Sequence, residues 1–148
     1  MGSLMLPSSG PVYADALIFI YSVEKHPIYA LTLRPLWEAV ARGDLEVLSS
    51  ELTLMETLIG PLKQGDAALE TDYENFFASP GIRLLPITSS ILRAGARLRA
   101  TLNSLRTPDA IQAATGHSCS CSLFLTNDLI FRRIPGLPVV LLDDVLRS

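Results

Sequence analysis

An apolar run near the start of the chain, Val12–Tyr21, is interrupted by one carboxylate, Asp15. The run follows a Ser-Ser-Gly-Pro turn and is too short and too interrupted to span a membrane, so it predicts a buried central strand over Val12–Ala14. An acid in such a run is costly unless it has a buried partner or a ligand. Asp15 would stand at the carboxyl end of the strand, where ligands bind in open parallel sheets.

Strand-like and helix-like segments alternate through the rest of the chain. Further strands are predicted at Leu45–Leu48, Ile82–Leu85, Ser122–Thr126 and Pro138–Leu142, with helical patterns between them. This alternation is typical of a three-layer α/β domain with a mostly parallel sheet. With 148 residues and 49% hydrophobic content, the chain suits one core, and a single domain is predicted over residues 5–148. Residues 1–4 are interpreted as a cloning remnant or a disordered start.

Two predicted helices carry apolar faces. In the first, over Tyr29–Ala41, Trp37 is expected in the core or at a dimer surface. In the second, over Glu51–Leu62, Glu56 lies beside the apolar face. The residues expected to face the core in this second helix are Leu52, Met55, Leu58 and Ile59.

The cysteines and the amino terminus bear on the cellular compartment. Cys119 and Cys121 are badly spaced for a structural disulfide, and with His117 they are too few and too close together to close a zinc site. A helix-end loop and a reducing cytoplasm are therefore expected. The first residues contain no basic segment followed by a long apolar one, so we expect neither a signal peptide nor a membrane partner.

Four acids are predicted to meet at one crevice. Asp15 and Asp128 each follow a buried strand, and Asp109 opens a helix in which Thr107 is expected to cap and Pro108 to take the first helical position. The longer Glu56 can reach the same place. Four bare carboxylates would raise one another's pKa, so the cluster makes sense chiefly around a divalent cation. All-oxygen ligands favour Mg²⁺, or Mn²⁺, over zinc.

Such a site suits hydrolysis of a phosphodiester bond, because a divalent cation can activate water and stabilise charge on a phosphoryl oxygen. No glycine-rich phosphate loop and no Ser-His pair competes with this interpretation. Thr126 would either hold a metal-binding carboxylate through its hydroxyl or simply cap the strand, and Asn127 is placed beside it in the same supporting role. Asp143 and Asp144 are interpreted as a solvated turn and left out.

The overall charge of −3 would normally argue against a nucleic-acid partner. If metal takes four of the 15 acids, however, the remaining acids are one fewer than the 12 bases. Arginine, which makes up all the bases except Lys25 and Lys63, suits forked contacts with phosphate as well as ion pairs. The arginines that could bind RNA phosphates are Arg93, Arg97, Arg99, Arg106, Arg132 and Arg133.

Taken in order, these motifs resemble the PIN-domain family, and the size of the chain resembles its VapC-type toxins. The matching segments are Tyr13-Ala14-Asp15-Ala16-Leu17-Ile18, Ser50-Glu51-Leu52-Thr53-Leu54-Met55-Glu56, Arg106-Thr107-Pro108-Asp109-Ala110-Ile111 and Thr126-Asn127-Asp128. The resemblance implies a magnesium-dependent endoribonuclease with an α/β/α fold and a five-stranded sheet of order 3-2-1-4-5. It also implies frequent homodimerisation and often a small antitoxin protein, although some family members serve RNA processing without one.

Two rivals come from other classes. A catalytically inactive PIN-like module would keep the crevice to bind RNA or a protein, but retention of all four acids argues against it. A receiver-type phosphoacceptor domain would need an acidic pair after the first strand and a late lysine, which this sequence lacks. The number of metals, one or two, stays open, as does the dimer surface, for which the early helices with Trp37 and Leu54 are the candidates.

Overall fold

The computed structural model describes residues 2–148 as alternating strands and helices. In chain order the elements are β1 (Pro11–Ala14), α1 (Ala16–Val23), α2 (Tyr29–Ala41), β2 (Glu46–Ser50), α3 (Leu52–Gln64), α4 (Ala67–Phe77), β3 (Ile82–Leu85), α5 (Ser89–Thr101), α6 (Thr107–Ser118), β4 (Leu123–Thr126), a 3₁₀ helix (Leu129–Arg133), β5 (Val139–Leu141) and α7 (Leu142–Arg147).

The five strands form one parallel sheet in the order β3-β2-β1-β4-β5. The predicted fold class and strand order are therefore confirmed. The strand that carries Asp15 at its end is central, and its Tyr13 lies opposite Leu48 of β2 and Phe124 of β4. The chain leaves β1 and β4 towards different neighbours, so a crevice opens at the carboxyl ends of these two strands.

Alternating side chains of the central strands supply two apolar layers. Val12 and Ala14 of β1 pack on one face with α1 and α2, while Tyr13 between them packs on the other face with α6. Both faces are covered because the strands are apolar on both sides, as parallel sheets require. The result is the three-layer arrangement expected from the sequence.

Helix α6 lies very close to the sheet at Gly116. A Cβ atom at this glycine would stand 2.7 Å from the ring of Phe124, which is nearer than real Cβ contacts allow. That ring stacks on Tyr13 with the centroids 4.8 Å apart. The missing side chain at Gly116 therefore lets the helix press directly on the central strands.

The expected orientation of α3 is wrong. Met55 and Ile59 are 62% and 44% exposed, and Leu52 and Leu58 are only half-buried. The buried side of the helix consists of Thr53, Thr57 and Pro61 instead. The physical reason is that α3 meets the end of β2 through hydroxyl groups, so its buried face is polar and its apolar face is left outside.

Two local expectations also need correction. Thr107 does not cap α6: Arg106 is the residue before the helix, its backbone N–H donates to Asp109 Oδ2 at 3.2 Å, and the Thr107 hydroxyl accepts a hydrogen bond from Arg99 instead. Asp143 and Asp144 do not form a turn, because they lie in the first turn of α7, where the helix dipole favours acids.

Of the first four residues, Met1 lies outside the described part of the chain. Leu4 packs into the apolar layer that contains Val12 and Phe19. The domain boundary at residue 5 stays a prediction. Within residues 2–148, none of the helices has the length and apolar character needed to cross a membrane.

Candidate active site

Asp15 is buried at the head of the crevice with one oxygen unpaired. Its side chain follows β1, only 5% of the residue is exposed, and the Thr126 hydroxyl donates to Oδ2. Oδ1 has no hydrogen-bond partner. Burial raises the pKa of Asp15 to about 7, and the charges of Glu56 and Asp128 raise it further, while the bond from Thr126 and the nearby backbone N–H of Ile18 act in the opposite direction.

Glu56 reaches this region from α3, as expected from its place on the helix after β2. It is half-buried, and Gln112 Nε2 of α6 donates to its Oε1 at 2.8 Å. Partial burial raises the pKa of Glu56, the charge of Asp109 raises it further, and the bond from Gln112 and the charge of Arg106 lower it. Glu56 thus interacts electrostatically with Asp109, and its own charge raises the pKa of Asp15.

Asp109 is buried in the first turn of α6. Its Oδ2 accepts from the backbone N–H of Arg106 at 3.2 Å and from the Arg106 guanidinium at 3.3 Å. These contacts close the first turn of the helix and neutralise the carboxylate locally. Asp109 therefore has a charged partner in the protein, whereas Asp15 has only the neutral Thr126 hydroxyl.

Asp128 follows β4 and is half-buried beside the crevice. Its Oδ1 accepts from the backbone N–H of Ile130 at 3.0 Å, and its own N–H donates to Thr126 Oγ1 at 3.1 Å. Thr126 thus joins two of the acids, since the same hydroxyl donates to Asp15. Asn127 instead accepts from the backbone of Asp143 at 3.0 Å and donates to the Tyr21 hydroxyl at 3.4 Å, so it ties β4 to α7 and α1.

The donor set can be tested against a divalent cation. Glu56 and Asp128 lie close enough to Asp15 to raise its pKa, and Asp109 lies close enough to Glu56 to raise the pKa of Glu56. The buried Oδ1 of Asp15 lacks a protein hydrogen bond, as a ligand for a hard cation would. Across residues 2–148, however, no three His, Cys, Asp or Glu side chains form a ready-made metal site. The chemistry fits, and the side chains must draw together to complete a coordination shell.

A polar network behind the acids was missed by sequence reasoning. Gln112 donates to Thr53 at 3.1 Å as well as to Glu56, and it accepts from the Tyr13 hydroxyl. Ser49 Oγ lies 2.7 Å from Thr53 Oγ1 and donates to the Ala14 carbonyl at 2.6 Å. The signal was the spacing, because Gln112 is three residues after Asp109 and Thr53 three before Glu56, which places each pair on one helix face.

The arginines divide into paired and open groups. Arg106 pairs with Asp109, Arg99 donates to the Leu105 carbonyl at 2.9 Å, and Arg132 pairs with Asp144. Arg133 donates to the Ser104 hydroxyl at 2.9 Å, whereas Arg93 and Arg97 lie exposed on α5. Arg106 is thus the one of the six that contacts a predicted site acid among residues 2–148.

The architecture and its acids define a class: an α/β/α domain with carboxylates around the carboxyl ends of two adjacent central strands. A sequence model of the PIN domain matches residues 12–137. The chain therefore belongs to the PIN-domain family. No curated protein sequence matches it significantly.

Solved structures support the same fold. VapBC2 from Rickettsia felis, bound to a DNA fragment from its promoter, aligns with a TM-score of 0.71 at 18% identity over 88% of this chain and 97% of that one. A toxin–antitoxin complex from Klebsiella pneumoniae gives 0.63 at 21% identity over 87% and 95%. VapBC-5 from Mycobacterium tuberculosis gives 0.56 at 22% identity over 91% and 98%.

Proposed function

We propose that the protein is a metal-dependent endoribonuclease that hydrolyses phosphodiester bonds of single-stranded or looped RNA. The observation that carries the proposal is the buried, unpaired Oδ1 of Asp15, in the electrostatic field of Glu56 and Asp128. An unpaired buried carboxylate oxygen is unfavourable in a merely structural acid. Membership of the PIN-domain family adds support.

Asp15, Glu56, Asp109 and Asp128 would hold one or two Mg²⁺ or Mn²⁺ ions. A bound ion would supply an activated water and stabilise charge on the phosphoryl oxygens. The protein supplies orientation: Thr126 fixes Asp15 through Oδ2 and leaves Oδ1 free, and Gln112 fixes Glu56 through Oε1. Arg106 is mostly exposed where it pairs with Asp109, so it can also meet a phosphate of the substrate.

The direct test is RNA cleavage by Asp15→Asn. A supporting contact to a metal ligand is worth about 10- to 100-fold, so loss of the ligand itself should reduce cleavage by a factor on the order of 100 or more. Asp44→Asn makes the same charge change at an exposed residue paired with Arg42 and serves as the control. Persistence of wild-type activity in excess chelator would contradict metal dependence.

The same test separates the nuclease from an inactive binding module. A module of that kind would bind labelled RNA or a protein without cutting RNA at any Mg²⁺ or Mn²⁺ concentration, and Asp15→Asn would leave that binding intact. Cleavage that depends on Asp15 would exclude it.

We further propose that the protein is the toxin of a toxin–antitoxin pair, with a small antitoxin as partner. The support is that the structural neighbours described above are toxin–antitoxin systems by their descriptions. Induced expression in a bacterial host should then arrest growth, and Asp15→Asn should not. Growth arrest by both forms at equal protein levels would separate toxicity from the proposed chemistry.

A homodimer is proposed through the exposed apolar side of α3. Met55, Ile59 and Leu62 are exposed there, whereas Trp37 packs on Phe19 and donates to Ser22 at 2.8 Å. Light scattering should show a dimer that Ile59→Asp converts to a monomer. Leu31→Asp, at an exposed position of α2, is the matched control and should leave the dimer intact.

A further inference from the structure

A pocket of about 420 Å³ adjoins the proposed active site on the side of β5. It lies between the start of α1, the 3₁₀ helix and α7, and Asp128 belongs both to its lining and to the acidic site. The volume falls within the range of small-ligand sites. Because the pocket shares Asp128 with the acidic site, a group bound here would lie next to the reacting phosphate of an RNA held at the acids.

Two leucines give the pocket apolar walls. Leu17 lies in the first turn of α1, and Leu129, directly after Asp128, is 66% exposed although it is a large apolar side chain. Apolar side chains of this kind sandwich the flat face of a nucleobase in proteins that hold an unstacked base. A base stacked in the pocket would cover the exposed side chain of Leu129.

The polar lining consists of Asn127 and Asp128 after β4 and of Asp143 and Arg147 on α7, and Asp143 is held in place by hydrogen bonds. Asp143 accepts from the Tyr29 hydroxyl through Oδ1, and its backbone N–H donates to Asn127 Oδ1 at 3.0 Å. Arg147 follows four residues later on the same helix face, with 71% of its side chain exposed. Asp143 forms no ion pair among residues 2–148, because Arg147 and Arg132 pair with Asp144 instead.

On the basis of the nuclease function proposed above, we propose that this pocket binds the guanine of a nucleotide that flanks the cut. Guanine presents two adjacent donors, N1–H and N2–H, which a carboxylate such as Asp143 can accept together, and one acceptor, O6, for Arg147. Adenine and cytosine place an unprotonated ring nitrogen beside their amino group, and uracil has a single donor between two carbonyls. Each of these bases would leave the Asp143 carboxylate only partly matched.

The test measures binding separately from cleavage. Short, labelled, single-stranded oligoribonucleotides that differ at one central base, G, A, C, U or inosine, are titrated into Asp15→Asn protein, which is expected to cut them too slowly to disturb the binding measurement. Guanine should bind at least about 10-fold more tightly than the other three standard bases, as a good bidentate contact to a base predicts. Inosine, which lacks the N2 amino group, should lose part of this advantage.

Asp143→Asn in the same background should abolish the preference for guanine, because an amide offers one acceptor where the carboxylate offers two. The Asn side chain retains an oxygen for the Tyr29 hydroxyl, so the fold is expected to persist. Asp72→Asn, an exposed residue of α4, makes the same charge change outside the pocket and should keep the preference. Leu129→Ala should weaken binding of all bases alike.

Equal affinity for all bases, or a guanine preference that survives Asp143→Asn, would overturn the pocket assignment. Sequencing of the ends that the wild-type protein leaves on a random RNA pool distinguishes this from failure of the proposed function. Cleavage without guanine beside the cut would contradict the guanine pocket and support the nuclease function. Guanine-selective binding that depends on Asp143, with no cleavage by the wild type, would support the guanine pocket and contradict the nuclease function.

Discussion

The end of β1 and the start of α6 each bury an aspartate, but the protein treats the two acids in opposite ways. Asp15 and Asp109 are 5% and 6% exposed. Asp109 accepts from the backbone N–H and the guanidinium of Arg106, both at Oδ2. Asp15 accepts only from the Thr126 hydroxyl at Oδ2, keeps a fully buried Oδ1 without a hydrogen bond and has its pKa raised to about 7. Two equally buried acids therefore differ in their partners, because one is bonded to the residue before its own helix and the other has a buried oxygen that no protein group binds.

The difference teaches that burial by itself does not identify a functional acid. A buried carboxylate with matched donors contributes to stability, and one with an unmatched oxygen costs stability unless something else binds it. The comparison predicts that the two sites respond alike to metal and oppositely to mutation in the absence of metal.

The largest expected effect is stabilisation by Mg²⁺. An ion at 100 times its dissociation constant raises the free energy of unfolding by about 2.7 kcal/mol. Thermal melts with and without Mg²⁺ should show this gain in the wild type and in Asp44→Asn, and show little of it in Asp15→Asn or Asp109→Asn. An undiminished gain in Asp15→Asn would place the ion elsewhere.

The pH dependence of the metal-free protein comes next. Because the pKa of Asp15 is raised to about 7 in the folded state, the native state keeps a proton that the unfolded state releases, and stability falls as pH rises from about 4 to about 7. Asp15→Asn should flatten this fall and be more stable by about 2 kcal/mol at about pH 8, as denaturant titrations would reveal. A loss of stability in Asp15→Asn would mark the acid as structural.

Asp109→Ala should act in the opposite direction. It removes the acceptor that closes the first turn of α6, so the metal-free protein should lose about 1 kcal/mol. Asp109→Asn keeps one acceptor oxygen and should lose less, as the same titrations can measure. Stabilisation by Asp109→Ala would erase the distinction between the two acids.

The smallest effect concerns a second group that titrates near neutrality. The neighbouring Cys121 side chain lowers the pKa of the Cys119 thiol to about 7. Cys119 therefore contributes stability that is present above about pH 9 and is lost as pH falls through about 7. Cys119→Ser should remove that rise and leave the fall due to Asp15. If Cys119→Ser also removed the loss of stability between about pH 4 and about pH 7, that loss would belong to the cysteine and not to Asp15.

Much of the fold could be predicted from the sequence because short apolar runs alternate with segments of helical periodicity. The strand over Val12–Ala14 and the polar residues after β4 followed from local sequence, and the sheet order followed from the family resemblance. The buried face of α3 could not be predicted from the sequence. Its leucines and Met55 recur with the helical period, but hydrogen bonds of Thr53 to Ser49 and Gln112 turn a different face of the helix towards the core. The proximity of Glu56 and Asp128 to Asp15 could be inferred from the sequence. The hydrogen-bond partner of each acid could not, and the metal site itself stays a prediction.

The lack of a side chain at Gly116 has effects far beyond its own helix. Any side chain there would displace the Phe124 ring, which stacks on Tyr13, and the Tyr13 hydroxyl donates to the amide that holds Glu56. A residue with no reactive group thus sets the position of a proposed metal ligand. Random mutagenesis that selects for loss of the proposed toxicity should recover substitutions at this glycine alongside those at the acids themselves.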